Sequence, residues 1–295
     1  MGEANERVGM IGVGLMGHGI ARNLLRHGHE LHFLEHPGNQ PVDDLLAAGA
    51  RTCSSAAELA AGCPVLILCV TGTLQVEDVL LREGGVLDGL REGGIVVDCS
   101  TAIPSSTLRI AAAIAARGGR FLDAPMTRTP REAAEGRLNL LVGGDADLFE
   151  RCRPLLACFA ENILHAGPVG AGHRLKLLHN YVSLGFGLVL AEAAACARRA
   201  GVDDRVFLEV LAQGGGQGVV LERLRPYLES GDVGSFRFTI ANAAKDMGYY
   251  ATMAQETGAA CGAAAAVRDA YARAAAAGCG SSTVPQMIEL LARGT

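Results

Sequence analysis

The sequence has no block of basic residues, no Cys-x-x-Cys pair and no uninterrupted apolar run of membrane-spanning length, and each absence removes a class of function. Lys and Arg number 26 against 31 Asp and Glu, a formal net charge of -5, so nothing concentrates enough positive charge to neutralise a run of phosphates; nucleic acid is not an expected partner. The cysteines, at positions 53, 63, 69, 99, 152, 158, 196, 261 and 279, are scattered in a way that suits buried, reduced thiols rather than a disulfide framework. No His and carboxylate arrangement has zinc-ligand spacing, so no metal is expected. The most apolar helical stretch, Tyr181 to Ala191, contains two glycines and ends at Glu192, which reads as too short to cross a membrane. Residues Met1 to Arg7 are polar and lack the pattern of an export signal, so a cytoplasmic location is the default expectation.

What is present is enough chain for two cores. A length of 295 residues with 49% hydrophobic content corresponds to two domains of about 150 residues each. From Arg7 to Gly167 short apolar or β-branched runs alternate with amphipathic helical stretches, the pattern of a mostly parallel sheet covered on both faces by helices. Strands are expected near Val8 to Val13, Glu30 to Glu35, Val65 to Val70, Ile95 to Cys99, Phe121 to Ala124 and Leu138 to Val142. Beyond Gly170, Ala, Leu, Glu and Arg recur at helical spacing, with breaks at glycine clusters such as Gly214, Gly215 and Gly216. The Gly- and Pro-rich loop from Ala166 to Gly172 separates the two textures. The expected architecture is therefore an α/β, Rossmann-like, doubly wound sheet domain over 1–168, followed by an all-α substrate and dimerisation domain over 169–295, without internal repeats.

Residues Val8 to Gly17 read V-G-M-I-G-V-G-L-M-G, which places Gly12, Gly14 and Gly17 in G-x-G-x-x-G directly after the first strand, with a helix beginning around Leu15. In that context the first glycine permits a tight turn, the second lets the backbone approach a pyrophosphate, and the third lets helix and strand pack closely. The helix N-terminus adds free N–H groups and partial positive charge. Glu35 closes the second strand 18 positions after Gly17, where a carboxylate would accept hydrogen bonds from the adenosine ribose and repel a 2′-phosphate. NAD is the expected cofactor and NADP the alternative. Leu15, Met16, Val70 and Thr71 are assigned to the cofactor with Gly12, Gly14, Gly17 and Glu35.

The segment from Gly14 to His29 resembles the opening of the β-hydroxyacid dehydrogenases, the group containing 3-hydroxyisobutyrate dehydrogenase and tartronate semialdehyde reductase. Asp98-Cys-Ser-Thr-Ala-Ile-Pro104 is similar to that family's D-x-S-T-x-x-P, Gly170-Ala-Gly-His-Arg-Leu-Lys-Leu-Leu-His-Asn180 to its G-x-G-x-x-x-K-x-x-x-N, and Lys245-Asp246 to its K-D pair. The resemblance implies a Rossmann-like domain joined by a long helix to a helical domain, and a homodimer or homotetramer. It also implies that Thr101 lies beside the nicotinamide end of the cofactor and that Lys245 lies near cofactor or substrate, Asp246 having a structural role.

Interconverting an alcohol and a carbonyl with a nicotinamide requires hydride transfer at carbon and a proton acid/base beside the oxygen. Lys176 is the candidate. On a helix Lys176 and Asn180 lie one turn apart on one face, so ammonium and amide would converge on one substrate oxygen, with Gly172 a further turn back leaving room. His173 and His179 fall off that face and read as packing or surface residues. After Asp123-Ala-Pro125 the family has a hydrophobic residue and Ser-Gly-Gly, which grips the substrate carboxylate; here Met126 is followed by Thr127, Arg128 and Thr129. Thr127 keeps a hydroxyl, and Arg128 brings a guanidinium suited to an oxyanion. This substitution, with the downstream Lys-x-x-x-Asn-Tyr, resembles the sulfolactaldehyde reductase branch. The expected substrate is thus a small anionic hydroxyacid or its semialdehyde, a sulfonate-bearing aldehyde being the alternative and a non-catalytic dinucleotide-binding module the reading from another class.

Overall fold

The computed structural model describes residues 6–293, so of the segment read for an export signal, Met1 to Asn5 lie outside the described residues. The chain divides into two compact units, Met1–Lys176 and Leu177–Thr295. The division falls inside a helix rather than in the loop from Ala166 to Gly172, because the start of that helix is bonded to the sheet of the first unit.

The strands of the first unit are β1 (Arg7–Ile11), β2 (Glu30–Leu34), β3 (Arg51–Cys53), β4 (Val65–Leu68), β5 (Ile95–Asp98), β6 (Arg120–Asp123), β7 (Met126–Thr127), β8 (Leu138–Gly143) and β9 (Ala160–Gly167). They form one sheet in the order β3-β2-β1-β4-β5-β6-β8-β7, with β9 also on β8. The strands from β3 through β6 are mutually parallel. The polypeptide then reverses, so that β8 runs antiparallel to β6 and β7 and parallel to β9. Helices α1 (Gly17–Arg26), α2 (Asp43–Ala47), α3 (Ala56–Gly62), α4 (Thr73–Leu81), α5 (Val86–Gly89), α6 (Pro104–Ala116), α7 (Pro130–Glu135) and α8 (Ala146–Leu156) complete the unit.

Strand periodicity explains the apolar runs. Val65 and Ile67 join one buried cluster and Leu66 and Leu68 another, as successive side chains point to opposite faces and both faces are covered. The pattern predicts six of these strands. It misses β3 and β7, which are very short, and β9, whose sequence A-E-N-I-L-H-A-G is largely exposed and so lacks the apolar signal of a buried strand. The first helix begins at Gly17 rather than at Leu15, because residues 12–16 form the turn itself.

The second unit is helical, as its texture indicates. Helix α9 (Ala171–Arg199) enters it and is followed by α10 (Asp204–Ala212), α11 (Val219–Ser230), α12 (Ile240–Thr257), α13 (Gly262–Ala274) and α14 (Met287–Ala292). The break between α10 and α11 holds Gly214, Gly215 and Gly216. At 29 residues, α9 is long and apolar enough by length and composition to cross a membrane, which corrects the reading of a short stretch: Gly185 and Gly187 do not interrupt it. Half of its most apolar window is buried inside the protein. Leu177, Leu184, Leu188, Ala191 and Ala194 belong to the helical core with Leu221, Met247 and Tyr271, so the apolar character of α9 is used in packing.

Tyr271 is fully buried and its hydroxyl donates to the Leu184 carbonyl at 2.9 Å. Removing that donor loses one buried hydrogen bond, while the Leu184 carbonyl stays within the helix, a loss of about 1 kcal/mol. Tyr271→Phe is therefore expected to lower the urea midpoint without altering the denaturant slope, measured by circular dichroism.

Candidate active site

The glycine turn after β1 has a distinct geometric demand at each of its three glycines. Gly12 has φ +91°, and a Cβ there would lie 2.3 Å from the Cys69 carbonyl oxygen. At Gly17 a Cβ would lie 1.9 Å from the Gly12 carbonyl oxygen, whereas at Gly14 nothing stands within 4 Å. Helix and strand thus close on Gly12 and Gly17 while Gly14 presents open backbone, the space a pyrophosphate needs. Helix α1 has no side-chain cap at Met16, which leaves first-turn N–H groups for an anion. Leu15 is exposed beside them.

Asn39 steadies this turn. Its Oδ1 accepts from the Val13 N–H at 3.1 Å and its Nδ2 donates to the Leu34 carbonyl at 3.1 Å, fastening the glycine loop to the end of β2. Sequence reasoning missed Asn39, although an asparagine in a Pro-Gly-Asn-Gln-Pro loop is a recognised turn signal. Glu35, Asn39, Phe33, Val42 and Thr52 line a groove of about 630 Å³ at this end of the sheet. Glu35 is exposed at this groove.

Further along the sheet, the Ser100 hydroxyl accepts from the Val70 N–H at 3.0 Å, and the Ser100 N–H donates to Asp98 at 2.9 Å. These bonds join the loops after β4 and β5, which carry Val70, Thr71 and Thr101. Burial pushes the Cys69 thiol, in the same loops, up to about 12 and the Cys99 thiol up as well. Burial also raises the Asp98 carboxyl, against the lowering influence of His173 and Ser100.

Asp123, at the end of β6, holds the start of α9. Its carboxylate accepts from the Gly170 N–H at 2.7 Å and from the His173 N–H at 2.8 Å, capping the helix that carries Lys176. The approach is close: a Cβ on Gly172 would lie 2.1 Å from the Leu141 carbonyl oxygen and 2.9 Å from Asp123 Oδ2. Gly172 therefore faces the sheet and does not leave room for substrate, which corrects the expectation made for it. Lys176 follows His173 by about one turn and is half-buried. His173 is wholly buried, whereas His179 is exposed.

The segment after Pro125 is more constrained than its sequence suggests. Thr127 pairs with Asn139 in β7–β8, and its hydroxyl accepts from Asn139 Nδ2 at 3.1 Å. Arg128 has φ +82°, the one described non-glycine residue with positive φ. Its guanidinium donates to Glu161 and to the Arg137 carbonyl, so it is held at the edge formed by β8 and β9 rather than extended free. Thr129 is the N-cap of α7 and forms a capping box with Glu132; its hydroxyl is engaged there.

In the second unit, Asn180 is buried and its Nδ2 donates to Asp246 Oδ2 at 2.6 Å. Lys245 Nζ lies 3.1 Å from Asp246 Oδ1 and 5.4 Å from the centre of the Tyr249 ring. Asp246 thereby orients both residues, a role that adjacent Lys-Asp letters alone do not reveal. One compositional signal was available: the chain has 24 arginines and only two lysines, Lys176 and Lys245. Arginine does not release its proton in a protein, so of the Lys and Arg side chains only these two can act as acid/base groups. Among the described residues no group of His, Cys, Asp and Glu is arranged to hold a metal ion.

Residues 7–167 match the family described as the NAD binding domain of 6-phosphogluconate dehydrogenase. Residues 170–291 match that described as NAD-binding of NADP-dependent 3-hydroxyisobutyrate dehydrogenase. The chain is 36% identical over 222 residues to an NAD-dependent L-serine dehydrogenase of Pseudomonas aeruginosa, covering 75% of this chain and 74% of that protein. It is 32% identical over 283 residues to 3-sulfolactaldehyde reductase of Escherichia coli, covering 96% of this chain and 94% of that protein. The solved structure of a 3-hydroxyisobutyrate dehydrogenase from Salmonella typhimurium is similar with a TM-score of 0.84 and 28% identity, covering 97% of this chain and all of that one.

The glycine geometry separates binding from folding. Gly14→Ala is expected to fold with an unchanged melting temperature but to bind NADH at least about tenfold more weakly, a methyl on the open backbone displacing the pyrophosphate. Gly17→Ala drives a methyl into the Gly12 carbonyl and is expected to lose stability as well. Calorimetric unfolding and NADH fluorescence titration of both variants measure the two effects.

Proposed function

The chain belongs to the β-hydroxyacid dehydrogenase family of 3-hydroxyisobutyrate dehydrogenase-like proteins, and from that premise we propose that Lys176 is its acid/base group on a small β-hydroxyacid or the matching semialdehyde. It is an NAD(P)-dependent oxidoreductase acting on CH–OH groups. The observation that carries the assignment of Lys176 is its place on the first turns of α9, whose start is bonded to the Asp123 carboxylate; such a seat fixes the backbone from which the amine extends.

The nicotinamide supplies hydride acceptance in oxidation and hydride donation in reduction. The open backbone at Gly14 and the uncapped first turn of α1 suit its pyrophosphate, and Glu35 suits the adenosine ribose. In the reductive direction Lys176 gives its ammonium proton to the oxygen as negative charge develops there, and in the oxidative direction it removes the hydroxyl proton. We assign Asn180, whose amide donates to Asp246, to stabilising the developing alkoxide. We assign Thr127, through its hydroxyl, and Lys245 to the anionic end of the substrate or the cofactor. Glu35 makes NAD the preferred cofactor, its carboxylate repelling the 2′-phosphate of NADP.

A second reading, reduction of a sulfonate-bearing aldehyde, is favoured by the extended similarity to 3-sulfolactaldehyde reductase and by the presence of Arg128. It requires the guanidinium to exchange Glu161 for the substrate oxyanion. Exposed Val182 and Val189 on α9 and exposed Val206 and Val210 on α10 support assembly as a homodimer or homotetramer through the helical unit.

Purified protein is expected to oxidise NADH faster than NADPH in the presence of succinic semialdehyde or tartronate semialdehyde. Lys176→Ala and Lys176→Arg should both lower kcat by at least about a thousandfold with NADH affinity unchanged, since a guanidinium keeps the charge but does not release its proton. Activity retained in either variant rejects Lys176 as the acid/base. Turnover of sulfolactaldehyde alone, lost in Arg128→Gly through a raised KM, would replace the carboxylate reading with the sulfonate one.

A further inference from the structure

Helix α1 follows the glycine turn, and within its first turn it meets α7, the helix that follows Thr127, Arg128 and Thr129. The approach is backbone to backbone: a Cβ on Gly19 would lie 2.6 Å from the Ala133 carbonyl carbon and 2.7 Å from its oxygen. Asn23, one turn beyond Gly19 and buried, joins the two helices. Its Nδ2 donates to the Gly19 carbonyl at 2.8 Å, to the Ala133 carbonyl at 2.9 Å and to the Ala134 carbonyl at 3.3 Å. Arg22 Nη2 donates to the same Ala134 carbonyl at 3.3 Å.

Helix α7 has six residues and is too short to hold its shape by helix propensity. The carbonyls of a last helical turn lack partners within the helix, and α1 supplies side-chain donors to two of them. An amide turned the other way would set Oδ1 against those carbonyl oxygens, so the acceptors fix the orientation of the Asn23 side chain. At the other end of α7 a single residue separates the helix from the sheet. Thr127 pairs with Asn139 of β8, and Thr129 is the N-cap of α7. Arg128, at φ +82°, is thus the joint between a residue held on the sheet and a residue held on α7. The direction in which its side chain leaves the backbone follows from the place of α7, and α1 holds α7 in that place.

We propose that Asn23 is a positioning residue: by fastening the end of α7 to α1 it sets the backbone of Thr127 to Thr129, the segment given above to the anionic end of the substrate. The effect on substrate rests on that reading; the fastening of α7 does not. Loss of the Asn23 amide leaves the contact between Gly12 and Gly17 in place and frees α7 to shift. Substrate affinity then falls while cofactor affinity and the chemical step are kept.

The first test is hydrogen exchange by mass spectrometry on the full-length wild type and on Asn23→Ala, both without ligand. Amides of residues 128–137 are expected to exchange about tenfold faster in the variant, and those of residues 7–14 at the wild-type rate. Unchanged exchange over 128–137 overturns the fastening. The second test is kinetic, on whichever of succinic semialdehyde, tartronate semialdehyde and sulfolactaldehyde the wild type reduces. Asn23→Ala is expected to raise the KM of that aldehyde about tenfold with kcat and NADH affinity unchanged. A lowered melting temperature with a wild-type KM marks a contact that only stabilises, and it overturns the positioning role. Asn23→Ser, which keeps a donor of shorter reach, decides by the same readouts should the alanine variant not fold. Thr127→Val and Arg128→Gly are measured in parallel: a wild-type KM in both rejects the anion-site reading, and exchange over 128–137 then decides the role of Asn23 by itself.

Discussion

The carboxylate of Asp123 is the constraint on which the rest of the arrangement depends. It sits at the end of β6, where the parallel part of the sheet stops, and it accepts the Gly170 and His173 N–H groups of α9. A charged acceptor on a helix N-terminus gains from two hydrogen bonds and from the helix dipole together. The close approach excludes any side chain at Gly172, where a Cβ would lie 2.1 Å from the Leu141 carbonyl oxygen. Movement of β6 or of the start of α9 would therefore break two bonds inside a region without water access. Lys176, the proposed acid/base, is thus referenced to the sheet through buried hydrogen bonds to a carboxylate and not through a surface loop.

That constraint explains why some of the molecule was legible in the sequence and some was not. The sheet strands were legible because buried parallel strands must be apolar on both faces, as Val65-Leu-Ile-Leu68 is. The glycine turn was legible because its glycines stand where backbone meets backbone. Strand β9 was not, since its outward residues Glu161 and Asn162 carry no apolar signal. Nor could spacing on a helical wheel show what Gly172 and His173 face: that is set by Asp98, Thr107 and Asp123, far away in sequence. A pattern one turn long identifies a shared face, but it does not say whether the face meets solvent, substrate or a buried carboxylate.

Cation usage gives a second, independent line. Arginine is always protonated and binds oxyanions through a fixed fork, whereas lysine can exchange a proton near neutral pH when its surroundings allow. The ion pairs on the surface of this chain, such as Arg153 with Glu150 and Arg225 with Glu222, use arginine. Lysine is kept at two positions, one on the seated turn of α9 and one against Asp246. Composition thus narrows the candidates for the proposed proton-exchanging amine to two.

Arg128 is the place where inherited geometry and a new side chain meet. Its φ of +82° is a conformation that glycine adopts freely and that costs a side-chain-bearing residue about 1–2 kcal/mol. The motif that this stretch resembles has glycine here, and Arg128 adopts a backbone conformation suited to that glycine. Bonds to Glu161 and to the Arg137 carbonyl hold the side chain and offset the strain. Because Glu161 is exposed on β9, its pairing with Arg128 is screened by solvent and weak compared with a desolvated contact. An oxyanion that excludes water would compete with Glu161 for the same fork on favourable terms. In the proposed sulfonate reading, the balance between these two anions governs selectivity at Arg128, and Glu161 enters that proposal with it.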